Sequence, residues 1–446
     1  MKKAFGAFWI FCMTFAIVFQ PAVAWGEDLI QLYQLAIDKD PQYKGAAFER
    51  LAQKESLKQA KAAFWPNADF QSNITETNQN VVNSENKVFV NGQSTYLSTT
   101  FGPTLNVPLF RYPLFVQLRQ SRELSKQADV NFQIAKQDLT IRVAKAYVAA
   151  QTAADNIAYA KEEKKGVEAF AERAGMRFKG GLAPNTDVYD AKARLASVEA
   201  SLVKSENEYQ NALQAIASMT GRPVSSVNRF KDDLPLVMPD PATVEDWTKA
   251  GLEKSLELKS RQFDTAKARQ QITIQKAAYL PTASVVGQWG QNNMGGSLYG
   301  GGATVDTGSV AINIDVPIFD RATSSKTREA KDRYQVSVEV LEQQKRDVIL
   351  KVATAFSGVK TAISRAEALK QSIDSQTELY SAKERGYKSG VYTSLAVLDA
   401  ARDLYLYRRD FSLSRYDYIM NTLELKRAVG TLSEDDLIAI NSWLAE

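Results

Sequence analysis

The sequence predicts a mainly α-helical protein with a small β-sheet, built as a tandem duplication. Two long stretches, 109–177 and 318–385, contain almost no glycine or proline and are rich in good helix formers. Each follows a segment in which apolar and polar residues alternate with period two, as in a strand with one apolar and one solvated face. Landmark residues also recur at a constant spacing, which indicates an internal repeat.

The duplication shows as pairs of identical residues spaced by 209 positions. The pairs are Pro108/Pro317, Phe110/Phe319, Ala146/Ala355, Gly181/Gly390, Asp190/Asp399 and Gly221/Gly430. Upstream, "KAAFWP" and "KAAYLP" pair at a spacing of 215, so one connecting loop differs in length. We therefore expect two structural repeats, 25–235 and 236–446, after a separate leader.

Each repeat is predicted to have the same order of elements. A helical segment (28–64 and 244–280) ends at a proline, which lacks an amide donor. Two strands follow, at 67–78 and 97–107 in the first repeat and at 282–290 and 310–316 in the second. The long stretches then give helices of roughly 100 Å, at ~1.5 Å per residue.

A short polar break ends each long helix and reverses the chain. Gly181 and Gly390 suit a helix C-terminus, Pro184 suits the start of the next helix, and Thr186 or Thr393 suits the turn between them. The return helices are expected to run to Gly221 and Gly430. Each repeat thus contains a long helical hairpin.

The first residues indicate export. Lys2 and Lys3 precede an apolar run and the triplet Ala22-Val23-Ala24, as in a signal peptide covering residues 1–24. Its removal leaves a formal charge of +2 and takes away Cys12, the only cysteine. The chain has no histidine, so the commonest general base and metal ligand are missing. We expect no catalytic residue, metal or cofactor, and no nucleic-acid partner.

The strands raise the question of assembly. Four strands with an uncovered apolar face leave exposed edges, and they are too few for a transmembrane barrel, which takes at least about eight. Three copies would supply twelve strands, which can close into a barrel, so we expect oligomerisation to cover both the edges and the apolar face.

Several motifs resemble the TolC family of outer-membrane exit ducts. They are the segment "EDLIQLYQLAIDKDPQYKGA" after the expected leader, the strand-to-helix junctions "NVPLF" and "DVPIF", the turns "RFKGGLAPNTDV" and "GYKSGVYTSLAVLDA", and the C-terminal segment "LKRAVGTLSEDDLIAIN". The resemblance implies a homotrimer with a twelve-stranded β-barrel in the outer-membrane lipid of a Gram-negative bacterium, continued by an α-helical tunnel through the periplasm. It also implies multidrug efflux or type I secretion, with a periplasmic adaptor and an inner-membrane pump of the resistance-nodulation-division, ABC or major facilitator type.

The resemblance places the adaptor-docking site at the two turns. The family's Val-Gly-Leu and Val-Gly-Thr correspond here to Gly180-Gly181-Leu182 and Ser389-Gly390-Val391. The central glycines are kept, so docking through Gly181, Leu182, Gly390 and Val391 is expected. The changed flanks imply a differently matched adaptor.

The resemblance also places a gate at the channel entrance. Tyr387 matches a gate tyrosine, and Thr186 and Asp187 match its partners, but Tyr392 stands where the family has an arginine. We therefore expect only neutral hydrogen bonding there, worth about 1 kcal/mol net. The family also has two rings of aspartates at the entrance, with one residue of each ring from every protomer. Asp399 matches the aspartate of one ring and Ala396 stands in place of the other, so a single cation-attracting ring is expected.

Simpler interpretations stay open for these residues. Asp190 and Asp399 could satisfy early helix amides, and Tyr387 and Tyr392 could be packing aromatics. Trp65, Phe101 and Trp289 could form an interfacial belt or pack in a core. For the whole chain, the alternatives are a periplasmic adaptor, a coiled-coil scaffold and a secreted enzyme. The end-to-end duplication argues against an adaptor, and the lack of a nucleophile motif argues against an enzyme.

Overall fold

The computed structural model describes residues 26–83, 92–296 and 301–445, so the expected leader at 1–24 lies outside the described residues. The elements of the first half are α1 (Leu29–Lys39), α2 (Pro41–Ala62), β1 (Asn67–Val81), β2 (Gly92–Phe110), α3 (Tyr112–Lys179) and α4 (Asn185–Thr220). Those of the second are α5 (Val244–Lys254), α6 (Leu256–Ala277), β3 (Thr282–Met294), β4 (Ala303–Asp315), α7 (Arg321–Lys388), α8 (Ser394–Val429) and α9 (Glu434–Asn441).

The duplication is visible in the lengths of the helices. Helices α3 and α7 each have 68 residues, and α4 and α8 each have 36. Corresponding helices begin and end at positions with the same spacing that the sequence landmarks show. The predicted order of helix, two strands and long hairpin is therefore confirmed in both halves.

One prediction about the helices was wrong. The first helical segment of each half is two helices rather than one, with breaks at Asp40 and Ser255. Pro41 explains the first break, because proline lacks the amide that would continue α1. Asp40 then caps α2, since its carboxylate accepts a hydrogen bond from the Tyr43 amide at 2.6 Å.

The four strands form one antiparallel sheet in the order β1-β2-β3-β4. Gly102 lies where β2 and β3 approach closely, because a Cβ there would come within 1.9 Å of the Trp289 carbonyl oxygen. All strands are longer than predicted; β4 begins at Ala303 because its polar first residues still pair with β3. Strands β1 and β4 are the sheet edges.

One face of the sheet is apolar, and none of the described residues covers it. Val310 on β4 is 80% exposed, and Ile312, Ile314, Phe70 and Ile74 are also largely exposed. Trp65 and Trp289 are exposed as well, whereas Phe101 is half-buried. Such a surface in a monomer indicates a contact with lipid or with other protein chains.

The main core lies around the middle of α3 and the C-terminal half of α8, away from the hairpin tips. It joins both halves of the chain: Leu32 and Tyr33 of α1, Tyr147 of α3, Phe230 of the linker between α4 and α5 (221–243) and Ile419 of α8 all belong to it. The C-terminal segment returns to the linker, where the Ala445 amide donates to the Arg229 carbonyl at 2.7 Å. The two halves therefore share one core.

A buried ion pair fixes α2 against α3. Arg142 on α3 donates to both carboxylate oxygens of Asp40, at 2.9 and 3.1 Å, and Asp40 is only 2% exposed. Burial by itself would raise the pKa of Asp40, but the hydrogen bonds from Arg142 and the Tyr43 amide outweigh it and lower the pKa below its usual value. The pair thus stabilises the folded chain at neutral pH.

Among the helices in the described ranges, none has both the length and the apolar character to cross a membrane.

Candidate functional site at the hairpin tips

The two helical hairpins end beside each other, about 100 Å along α3 and α7 from the sheet. Each tip turns through a glycine in the left-handed region, with φ of 71° at Gly181 and 81° at Gly390. The Gly181 amide donates to the Phe178 carbonyl at 2.9 Å, and the Gly390 amide donates to the Tyr387 carbonyl at 3.1 Å. These bonds satisfy the last carbonyls of the long helices, and only glycine adopts this φ without strain.

The residue after each glycine is apolar and largely exposed. Leu182 is 72% exposed and Val391 is 73% exposed. A Cβ added at either glycine would meet no atom within 4 Å, so the surface around the two turns is open. The tips thus present two similar apolar knobs to solvent, at the positions where the resemblance places adaptor docking.

A small apolar cluster joins the hairpins just above the turns. It contains Val167, Phe170 and Ala174 of α3, Ala191 of α4, Tyr387 of α7, and Val397 and Leu398 of α8. The ring of Tyr387 packs on Phe170 with 5.0 Å between centroids. Tyr387 is therefore a packing aromatic as well as a hydrogen-bond donor.

The structure brings Tyr387 and Asp187 together, as the family resemblance implies. The Tyr387 hydroxyl donates to Asp187 Oδ2 at 3.0 Å, and this bond links α7 to α4. Burial raises the pKa of Tyr387, and the bond to the Asp187 carboxylate raises it further. Thr186 precedes Asp187 on α4 and is exposed.

Arg177 is a member of this site that the sequence analysis missed. Its guanidinium lies 5.0 Å from the centre of the Tyr387 ring, and its Nη1 donates to the Tyr387 carbonyl at 3.3 Å. One turn earlier, Arg173 pairs with Glu384 at 3.2 Å. The expectation of neutral partners alone was therefore wrong, because α3 supplies a cation from the same chain.

Tyr392 occupies the position of the family's arginine but packs on its own hairpin. A Cβ at Gly386 would lie 2.5 Å from Tyr392 Cδ2, so the ring rests directly on that glycine. The Tyr392 amide also donates to the Gly386 carbonyl, at 3.4 Å. Within the chain, Tyr392 covers the end of α7 and leaves half of its own surface exposed.

The two equivalent aspartates do not cap their helices. Thr393 caps α8 by accepting from the Ala396 amide at 3.3 Å, so Asp399 is free of that role. Asp399 is half-exposed and lies 3.4 Å from Arg402, which also pairs with Asp403 at 2.8 Å. In the first half, Asp190 instead accepts a hydrogen bond from Ser394 on the other hairpin, at 3.3 Å. The capping interpretation of both residues was therefore wrong.

The chain is similar to known outer-membrane and secretion proteins over most of its length. The family model described as "Outer membrane efflux protein" matches residues 32–222 and again 247–431. The chain is 29% identical over 426 residues to the outer membrane protein TolC of Vibrio cholerae, covering 95% of each sequence. It is 26% identical over 437 residues to the alkaline protease secretion protein AprF of Pseudomonas aeruginosa, covering 96% of this chain and 89% of the relative.

A solved structure shares the fold at lower identity. The outer membrane protein VceC of Vibrio cholerae superposes with a TM-score of 0.73 at 17% identity, covering 90% of this chain and 96% of that one. The similarity therefore extends over the sheet and both hairpins.

Proposed function

The chain belongs to the outer membrane efflux protein family, and on that premise we propose that it is an outer-membrane exit duct. It passively conducts substrates that an inner-membrane pump and a periplasmic adaptor deliver, and it performs no catalysis itself. The sheet lies in the outer membrane, and the hairpins extend into the periplasm.

The observation that carries this proposal is the distance between the uncovered sheet and the hairpin tips. Helices α3 and α7 both start beside the sheet and run for 68 residues, which is roughly 100 Å, before they turn. A chain with an apolar sheet at one end and exposed apolar turns at the other suits a protein that joins a membrane to a distant partner. The alternatives, an adaptor or a scaffold, give no reason for the uncovered sheet.

The proposed assembly is a homotrimer. The free edges, β1 and β4, lie on opposite sides of the sheet, so β1 of one copy can pair with β4 of the next. Three such pairings close twelve strands into a barrel, and they place six hairpin tips in a ring around the entrance. In that ring, Tyr387, Asp187 and Thr186 belong to the gate together with Tyr392, and Asp399 supplies one carboxylate per protomer.

The proposed adaptor site consists of the two tips of each protomer. Gly181 and Gly390 give the turns their shape, and Leu182 and Val391 provide apolar contact area that is now exposed to water. Since the two turns have nearly the same geometry, one type of adaptor hairpin fits both.

Relatives point to two kinds of cargo, because the family name refers to efflux and the AprF name refers to protease secretion. Deleting the gene in its own bacterium tests the function and separates the cargoes. Higher accumulation of a fluorescent drug would indicate efflux, and loss of proteins from the medium would indicate type I secretion. If both stayed at the parental level after deletion, with no second duct expressed, the proposed function would be wrong.

A further inference from the structure

Two hydrogen bonds from the α7/α8 hairpin reach the same face of α4. Tyr387, near the end of α7, donates to Asp187, and Ser394, the first residue of α8, donates to Asp190. Asp187 and Asp190 are three residues apart on α4, so their side chains lie on neighbouring positions of one helical face. The two arms of one hairpin are thereby each tied to α4.

The Ser394 hydroxyl is well placed for this bond. Ser394 is only 2% exposed, and a buried hydroxyl without a partner is costly. The N-terminus of α8 does not need it, because Thr393 provides the cap. Ala191, Val397 and Leu398 are buried in the same contact and keep water away from it. The hydroxyl therefore serves the contact with the other hairpin.

The position of the bond suggests what it does. The Tyr392 ring packs on Gly386 of its own hairpin rather than on α4. Movement of the α7/α8 hairpin away from α4 would break the bonds of Tyr387 and Ser394 together. It would also expose the Ser394 hydroxyl and half-buried Asp190 to water.

We propose that Ser394 and Asp190 form a second latch, which acts with Tyr387 and Asp187 to hold the α7/α8 hairpin in the resting position. This proposal rests on the proposed function, since it assigns the latch to the gate of an exit duct. Ser394 and Asp190 are positioning residues, because they act through the hairpin and need not touch the cargo.

The test is a double-mutant cycle read as single-channel current in planar lipid bilayers. The variants are Ser394→Ala, Asp190→Ala and the double substitution, each checked first for native trimer mass in detergent. Each single substitution removes one hydrogen bond to a charged group from each of the three protomers. If the three open together, the ratio of time in larger-conductance states to time in the resting state should rise roughly 100-fold. The double variant should match the single ones, because both remove the same bond.

Two further variants sharpen the interpretation. Ser372→Ala is the matched control, since the Ser372 hydroxyl also lies on α7 but donates to the Ala368 carbonyl of its own helix, at 2.9 Å. It should leave the resting current unchanged. Asp190→Asn keeps an acceptor oxygen and should give an intermediate effect, and it also serves if an alanine variant fails to assemble.

The outcomes separate the latch from the duct. Resting current equal to that of the unmodified protein in the Ser394 and Asp190 variants, or effects that add in the double variant, would overturn the latch while leaving the duct intact. If the unmodified trimer formed no channels, the proposed function would fail and the latch would fail with it.

Discussion

Replacing Tyr387 by Phe removes one hydroxyl from the contact between the hairpins and little else. The ring keeps its packing on Phe170 and its stacking with Arg177. What is lost is the 3.0 Å bond to Asp187. We therefore expect the closed state to be weakened without loss of the fold.

The size of the effect follows from the environment of the bond. A hydrogen bond to a charged group contributes roughly 1.5–3 kcal/mol, and because Asp187 is only half-buried we take about 1 kcal/mol per protomer. If three protomers open together, the closed state loses about 3 kcal/mol, which changes the closed-to-open ratio roughly 100-fold. Resting conductance in a planar bilayer should increase accordingly.

Tyr380→Phe is the matched control for this experiment. Tyr380 packs against the same cluster, about two helical turns earlier on α7, so its substitution removes a hydroxyl from similar surroundings. We expect its conductance to stay at the resting value. An unchanged conductance in Tyr387→Phe would show that this bond does not hold the closed state and that other contacts maintain the constriction.

Three further predictions concern charge. Arg177→Met keeps the apolar contact with Tyr387 but removes the cation, and so loses a cation–π contact of about 1 kcal/mol. Resting conductance should rise less than it does in Tyr387→Phe. An effect as large as that of Tyr387→Phe would show that Arg177 does more than position the ring. Asp399→Ala should reduce the channel's preference for cations, measured as the reversal potential in a salt gradient, and should weaken block by multivalent cations. Unchanged selectivity would show that Asp399 does not face the lumen. Asp40→Asn should lower stability at pH 7 by about 2 kcal/mol, since it breaks a largely buried pair, and a shift in the thermal midpoint measures this loss. The pKa of Asp40 is lowered in the folded chain, so its contribution to stability is present above the ordinary pKa of about 4 and is lost as the pH falls further. The thermal midpoints of the unmodified protein and Asp40→Asn should therefore converge in acid. A difference that stayed constant with pH would contradict the stabilising role of the ionised Asp40.

The sequence predicted the long elements well because the relevant information is local. The glycine-poor stretches set α3 and α7, and Gly181 and Gly390 set the turns. The break at Asp40 was missed even though Pro41 marks it, because the helical pattern continues on both sides. The start of β4 was missed because its first residues are small and polar, and they form a strand only by pairing with β3.

Contacts between the hairpins could not be predicted in the same way. Arg177 and Tyr387 are 210 residues apart, and Ser394 and Asp190 are 204 apart. Neither pair forms a motif, and their meeting depends on how two long hairpins pack. The match of Tyr387 with Asp187 was available only from the family resemblance. The packing of the Tyr392 ring on Gly386 was likewise not predicted, because it depends on the conformation of the turn between α7 and α8.

The most direct test of the exit duct is the current through the purified protein in a planar lipid bilayer, recorded with and without a multivalent cation. An exit duct should give small, stable, cation-preferring channels that the multivalent cation blocks. A folded trimeric preparation that conducted no current would show that the protein is not such a duct.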